Sequence, residues 1–203
     1  MTMSKPGEAI AAALAALEDF PLLQGPRVRL RGPREDERDA QGLFALFGDE
    51  QVMRYWSRPP MQGVSEAHEL IAQIRKGMAE RNLINWVIAD GDDAVIGSCT
   101  LFRFDANHRR AELGYALHPA QWGLGVAREA ATLALDWAFD TLGLHRCDAG
   151  IDPANASSRA LLHRLGFVTE GVRRESFFVG ERVTDSELLG LLVKDWRAAR
   201  SRH

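Results

Sequence analysis

Seven residues, Gln121-Trp122-Gly123-Leu124-Gly125-Val126-Ala127, separate an alternating apolar stretch from a long amphipathic one. If the second stretch is a helix, this turn can bind an anion. A helix start exposes amides that lack intrahelical partners, and its dipole adds partial positive charge there. Together they hold a phosphate wherever the backbone can come close. Gly123 and Gly125 remove side chains where a ligand would press on the main chain, and Ala127 is small. The turn lacks the Gly-Lys-Ser/Thr of a phosphate-binding Walker loop, and it fits a dinucleotide fingerprint poorly. On these residues alone, a tight strand-to-helix turn without a ligand is an equal reading.

Other groups offer less. Asn155 begins a second turn-and-helix stretch, Asp152-Pro153-Ala154-Asn155, where Asn suits a helix cap. Cys99 and Cys147 form no Cys-x-x-Cys pair and lie in strand-like apolar surroundings. They support neither a zinc site, nor a disulfide framework, nor a cysteine nucleophile, which needs a base and exposure. His118 precedes Pro119 in a loop, and His163 falls on a helix surface.

The elements that must position these groups follow from period and punctuation. Residues 5–20 read as a helix ended by Pro21 and Pro26, and 27–31 alternate like a strand. The acidic start of 34–49 predicts a helix, and 65–80 predicts another with Ser65 as its cap. Residues 84–90 and 94–104 flank Gly91-Asp92-Asp93 as a hairpin, and 109–117 is a third strand. The helix after the glycine turn puts Ala131, Leu135, Ala138, Phe139 and Leu142 on one face and stops at Gly143. Strand 146–151, a helix ending at Gly166, short strands at 167–172 and 176–180, and a last strand at 182–193 across a hairpin near Gly180–Glu181 complete an α/β (α+β) pattern: a mixed sheet covered by helices.

Composition narrows the classes. A chain of 203 residues with a formal net charge of -3 suits one globular domain and argues against a dedicated nucleic-acid binder. No run approaches the roughly 18 apolar residues of a membrane span, and the Ala-rich start carries Glu8, Glu18 and Asp19, unlike an export signal. The expected setting is cytoplasmic, with no membrane partner.

The stretch from Glu112 to Ala130, followed by Asp152–Phe167, resembles the GNAT superfamily of acetyl-CoA-dependent N-acetyltransferases, and within it the Rim-like branch of ribosomal-protein N-terminal acetyltransferases. The resemblance spans roughly residues 26–196, including an early Arg-Leu-Arg strand and the late Asp185–Trp196 segment. It implies a mostly antiparallel central sheet with a V-shaped splay, flanked by helices. Residues 1–25 would be a helical extension and 26–203 the catalytic domain. Homodimers are common in the family.

The resemblance also implies roles. The main chain of Gly123, Leu124, Gly125, Val126, Ala127 and Arg128 would wrap the diphosphate of acetyl-CoA. Trp122 takes the place where the family usually has Arg or Gln, and Arg128 adds charge or is simply solvated. Tyr115, Ala116 and Leu117 would hold the pantetheine arm through their main chain, as strand addition, with the Leu117 amide polarising the thioester carbonyl. Asn155 would bond the pantetheine or cap its helix. Glu112 would be the base that takes the amine's proton. A Tyr that many relatives place on the next helix is Leu162 here, so Ser158 would stand beside the departing thiolate. No metal is implied. The acceptor, a protein N-terminal α-amine or a small amine, would meet Tyr55, Trp56, Arg58, Trp86, Phe177 and Phe178. A CoA-binding sensor without catalysis and an ATP-using transferase are the alternatives.

Overall fold

The computed structural model describes residues 6–179 and 181–200. Lys5 of the first predicted helix and Gly180 of the last predicted turn lie outside them. The framework is an eight-stranded sheet in the order β1-β2-β3-β4-β5-β6-β8-β7. Its strands are β1 (Leu23–Gln24), β2 (Arg29–Arg31), β3 (Leu83–Ala89), β4 (Val95–Asp105), β5 (Arg110–Leu117), β6 (Arg146–Ile151), β7 (Val168–Val179) and β8 (Arg182–Leu192). All neighbours are antiparallel except β5 and β6. A parallel pair needs a crossover, and helix α5 (Val126–Asp136) supplies it. The other helices are α1 (Pro6–Ala15), α2 (Glu37–Phe47), α3 (Glu50–Met53), α4 (Val64–Ala79), α6 (Ala156–Leu165) and α7 (Val193–Arg200).

Two apolar clusters cover the two faces of the sheet. One holds Ile10 and Leu14 of α1, Leu30, Trp86, Leu113, the inner face of α5, Leu162 and Leu165 of α6, and Trp196 of α7. The other packs Leu43, Phe47, Val52 and Ile71 from α2, α3 and α4 against Val87 and Ala116. The alternation of β5 explains both: Ala111 and Leu113 face the first cluster and Ala116 the second, as a period of two requires.

The chemistry depends on where the β5–β6 ladder stops. Pairing runs only from Arg110↔Arg146 through Ala111↔Cys147 to Glu112↔Asp148. Beyond that rung β5 stays with β4 and β6 stays with β8. The expected V-shaped splay therefore opens between Leu113–Leu117 and residues 149–151.

Helix α1 ends at Ala15, short of the expected residue 20, and three other local expectations change. Ser65 does not cap α4: Gly63 holds the cap position without a side-chain bond, and Ser65 falls inside the first turn. The helix after the glycine turn does not run unbroken to Gly143, because a π turn over Trp137–Thr141 takes over at Asp136, with the Leu142 amide reaching the Trp137 carbonyl. The two short pieces expected near 168–179 are one long strand, β7, with register irregularities between Thr169/Gly171 and Arg173/Phe177.

Candidate active site

The glycine turn sits at the start of α5. Gly123 and Gly125 have φ of 76° and 78°, the left-handed region that side chains rarely adopt. Gly125 is the N-cap and brings no capping side chain, so the first-turn amides remain available to a ligand. Around Gly123 a side chain would meet nothing, whereas one at Gly125 would meet the Arg27 guanidinium at 3.3 Å. Trp122, 48% exposed, donates from Nε1 to the Leu117 carbonyl at 2.8 Å and ties the turn to the end of β5. Arg128 lines an open cleft with Thr132, Arg164 and Arg200.

Arg27 and Glu129 were not evident from sequence. Arg27 Nε donates to Glu129 Oε2 at 2.7 Å, and its Nη1 donates to the Leu124 carbonyl at 2.5 Å. The Arg27 and Val28 amides both donate to Glu129 Oε1. Burial would raise the Glu129 carboxyl, but these hydrogen bonds and the Arg27 charge outweigh it and hold it below the usual carboxylate range. The result is a staple from the chain just before β2 to the first turn of α5. The two residues lie 102 positions apart, so no local pattern could reveal it.

On β5 the hydrogen-bond alternation decides which main-chain groups face the splay. The His118 amide donates to the Ile96 carbonyl, so that pair is hydrogen-bonded and the next, Gly97↔Leu117, is not. The main-chain groups of Leu117, Tyr115 and Leu113 thus point away from β4, toward the opening. Ala116 points its own toward β4, and its carbonyl sits where a Gly97 side chain would clash at 2.6 Å. Of the three residues expected to hold pantetheine by main chain, Tyr115 and Leu117 have that orientation and Ala116 does not.

Asn155 caps α6: its Oδ1 accepts from the Ser158 amide at 3.1 Å and from Ser157 Oγ at 2.9 Å. Ser158 Oγ lies 2.8 Å from the Tyr115 hydroxyl. Leu162 is buried beneath the helix. An ion pair between Arg159 and the buried Glu187, at 2.5 Å, fastens α6 to β8, and Thr169 donates to the other Glu187 oxygen.

Glu112 occupies the last rung before the splay, on the face opposite Leu113. Its Oε2 accepts from Arg103 at 2.8 Å, and its Oε1 lies near Gly150. Arg103 has φ of 52° within the irregular end of β4, where the register shifts between Phe102 and Asp105. That irregularity brings its guanidinium to Glu112. Nearby Asp148 shares Arg146 with Glu170, so acids outnumber bases along this face.

The remaining candidates fall outside the chemistry. Burial pushes the Cys99 thiol up to about 12 and the Cys147 thiol well above its usual value, so neither is a ready thiolate. His118 Nδ1 accepts from the Ala120 amide, and His163 meets Thr169. Trp86 cannot wall an acceptor groove: it is 0% exposed, donates to the Pro21 carbonyl and packs edge-on against Trp137. Its alternating strand pattern gave no means of telling the inner face from the outer. Trp56 stacks edge-on at 5.4 Å on Phe47, and Arg58 lies 4.8 Å over the same ring. Phe178 is 69% exposed on the last hairpin, which touches the Tyr55 loop through Arg182 and the Arg54 carbonyl. Among the described residues no cluster of His, Cys, Asp or Glu could hold a metal, and no helix is long and apolar enough to cross a membrane.

The residues from 27 to 168 match the model of the acetyltransferase (GNAT) domain. The uncharacterized N-acetyltransferase YoaA of Bacillus subtilis is 30% identical over 174 residues, covering 85% of this chain and 97% of that one. A spermidine N-acetyltransferase from Vibrio cholerae, solved with CoA and spermine, superposes with a TM-score of 0.73 at 26% identity, covering 85% of this chain and 99% of that one. Mycobacterium smegmatis RimJ, solved with CoA-disulfide, shares the fold with a TM-score of 0.76 at 24% identity, covering 89% and 92%.

Proposed function

The chain belongs to the GNAT family of acetyl-CoA-dependent acetyltransferases, and on that footing we propose that it moves acetyl directly to a primary amine inside the splay. The observation that carries this reading is the early end of the β5–β6 ladder beside a helix start capped only by glycine. One strand edge is left free for an extended arm, and one set of amides is left free for a diphosphate. The fit is chemical as well as spatial: two glycines at positive φ keep the cradle bare. Family membership removes the ATP-using alternative.

The residues then divide the labour. The amides of 123–128 bind the diphosphate, and the staple of Arg27 and Glu129 keeps their spacing. Tyr115 and Leu117 hold the arm by main chain. The Leu117 carbonyl is occupied by Trp122, while its amide points into the opening, where it can stabilise the oxyanion formed on attack. A primary amine is largely protonated near neutral pH, so a base must take a proton, and Glu112 on the acceptor face takes it. The attack forms the C–N bond and breaks the C–S bond, and the electron pair leaves on sulfur. Ser158 then offers that thiolate a hydrogen bond.

The acceptor is a protein N-terminal α-amine or a small amine. The acidic excess of Glu112, Asp148 and Glu170 favours a cationic acceptor. The spermine found in the Vibrio cholerae structure makes polyamines the first small amines to try. Thiol release from acetyl-CoA should be measured against polyamines, peptide N-termini and aminoglycosides. Turnover with at least one class is expected, and none with any would overturn the reading. Gly123→Asp and Gly123→Asn both tolerate the left-handed backbone, and a β-carbon there has no neighbour within 4 Å. Only Asp adds negative charge, and it should raise the CoA dissociation constant roughly tenfold or more beyond Asn. Equal affinities would move the diphosphate elsewhere.

A further inference from the structure

We infer that the Tyr115 hydroxyl orients Ser158 toward the departing thiolate. This rests on the proposal that Ser158 faces the sulfur. Tyr115 lies on one lip of the splay and Ser158 on the other, in the first turn of α6. The phenol oxygen is 2.8 Å from Ser158 Oγ and 3.4 Å from the Ser158 carbonyl oxygen. The phenol carries one hydrogen, and giving it to Oγ, the nearer oxygen, is the arrangement that leaves the serine its own hydrogen. Ser158 is itself fixed in place, because its amide is tied to Asn155.

The direction of donation is the substance of the inference. Burial raises the phenol to about 12, the Ser158 hydrogen bond opposes this, and Cys99 adds to the rise. Tyr115 therefore stays protonated and gives a hydrogen bond, not a proton. A serine hydroxyl that accepts from Tyr115 keeps its own hydrogen to offer. When the C–S bond breaks, the electron pair on sulfur accepts that hydrogen, and solvent later supplies the proton that completes the thiol. Tyr115 touches no reacting atom and is a positioning residue.

The test is a double-mutant cycle, Tyr115→Phe with Ser158→Ala, read with two acetyl donors. With acetyl-CoA, Tyr115→Phe should lower kcat about tenfold, the size of one hydrogen bond made in the transition state, with CoA affinity little changed. The double variant should be no slower than Ser158→Ala alone. With S-acetyl-4-nitrothiophenol, whose thiolate leaves unaided, Tyr115→Phe should cost little. Equal losses with both donors, or losses that multiply in the double variant, would show that Tyr115 only packs and would overturn the inference. If Ser158→Ala alone leaves kcat unchanged, the underlying placement of Ser158 fails instead.

Discussion

Glu112 faces two demands at once. Its Oε2 is engaged by Arg103, so the amine's proton would be received at Oε1, over the bare α-carbon of Gly150. Replacing the carboxylate by an amide of the same shape removes the acceptor of the proton and little else. Glu112→Gln should therefore lower kcat by on the order of a hundredfold or more and leave CoA affinity nearly intact. An unchanged kcat would remove Glu112 from the base role. The residues were unevenly legible in the sequence. Glycines at a helix start announce themselves, because few residues can take φ near 77°. The Tyr115 side chain did not, because its partner lies 43 positions away. Trp86 was misplaced because alternation reports two faces without saying which is covered.

Among the elements, the staple from the β2 entry to α5 matters most. Arg27→Gln breaks the contacts to Glu129 Oε2 and the Leu124 carbonyl while sparing the amide bonds to Glu129 Oε1. It should raise the KM for acetyl-CoA severalfold and leave the KM for S-acetyl-pantetheine, which has no diphosphate, unchanged. Equal effects on both donors would show general loosening. A second tie, Asp93 in the β3–β4 turn, pairs with Arg29, Arg31 and Arg34. Burial would raise its carboxyl, but hydrogen bonds from Arg31 and Arg34 and their charges bring it down to about 2. A carboxyl depressed by folding stabilises the native state above its unfolded value and loses that contribution as pH falls. Thermal stability should therefore drop on acidification from about pH 4 toward 2. Asp93→Asn should be less stable at neutral pH and flatter in that window; identical acid profiles would contradict the tie. These ties join segments far apart in sequence, so propensity and period could not reveal them, although they did locate most of the strands and helices that the ties connect.

At the scale of the molecule, one sheet carries a different core on each face and opens between its parallel neighbours β5 and β6. The mixed sheet and its flanking helices were readable from the order of periods along the chain. The expectation of a splay came from family likeness alone, because nothing in a sequence states the rung at which a ladder ends. That rung, Glu112↔Asp148, puts Glu112 and the free strand edge side by side, and Trp122 ties the glycine turn to the far end of the same strand. A crystal structure with bound CoA is the most direct measurement. The account predicts the diphosphate within hydrogen-bond distance of amides in 123–128, and the pantetheine running along Tyr115 and Leu117 between β5 and β6. A diphosphate bound elsewhere, or a gap closed by side chains with the arm outside it, would contradict the account.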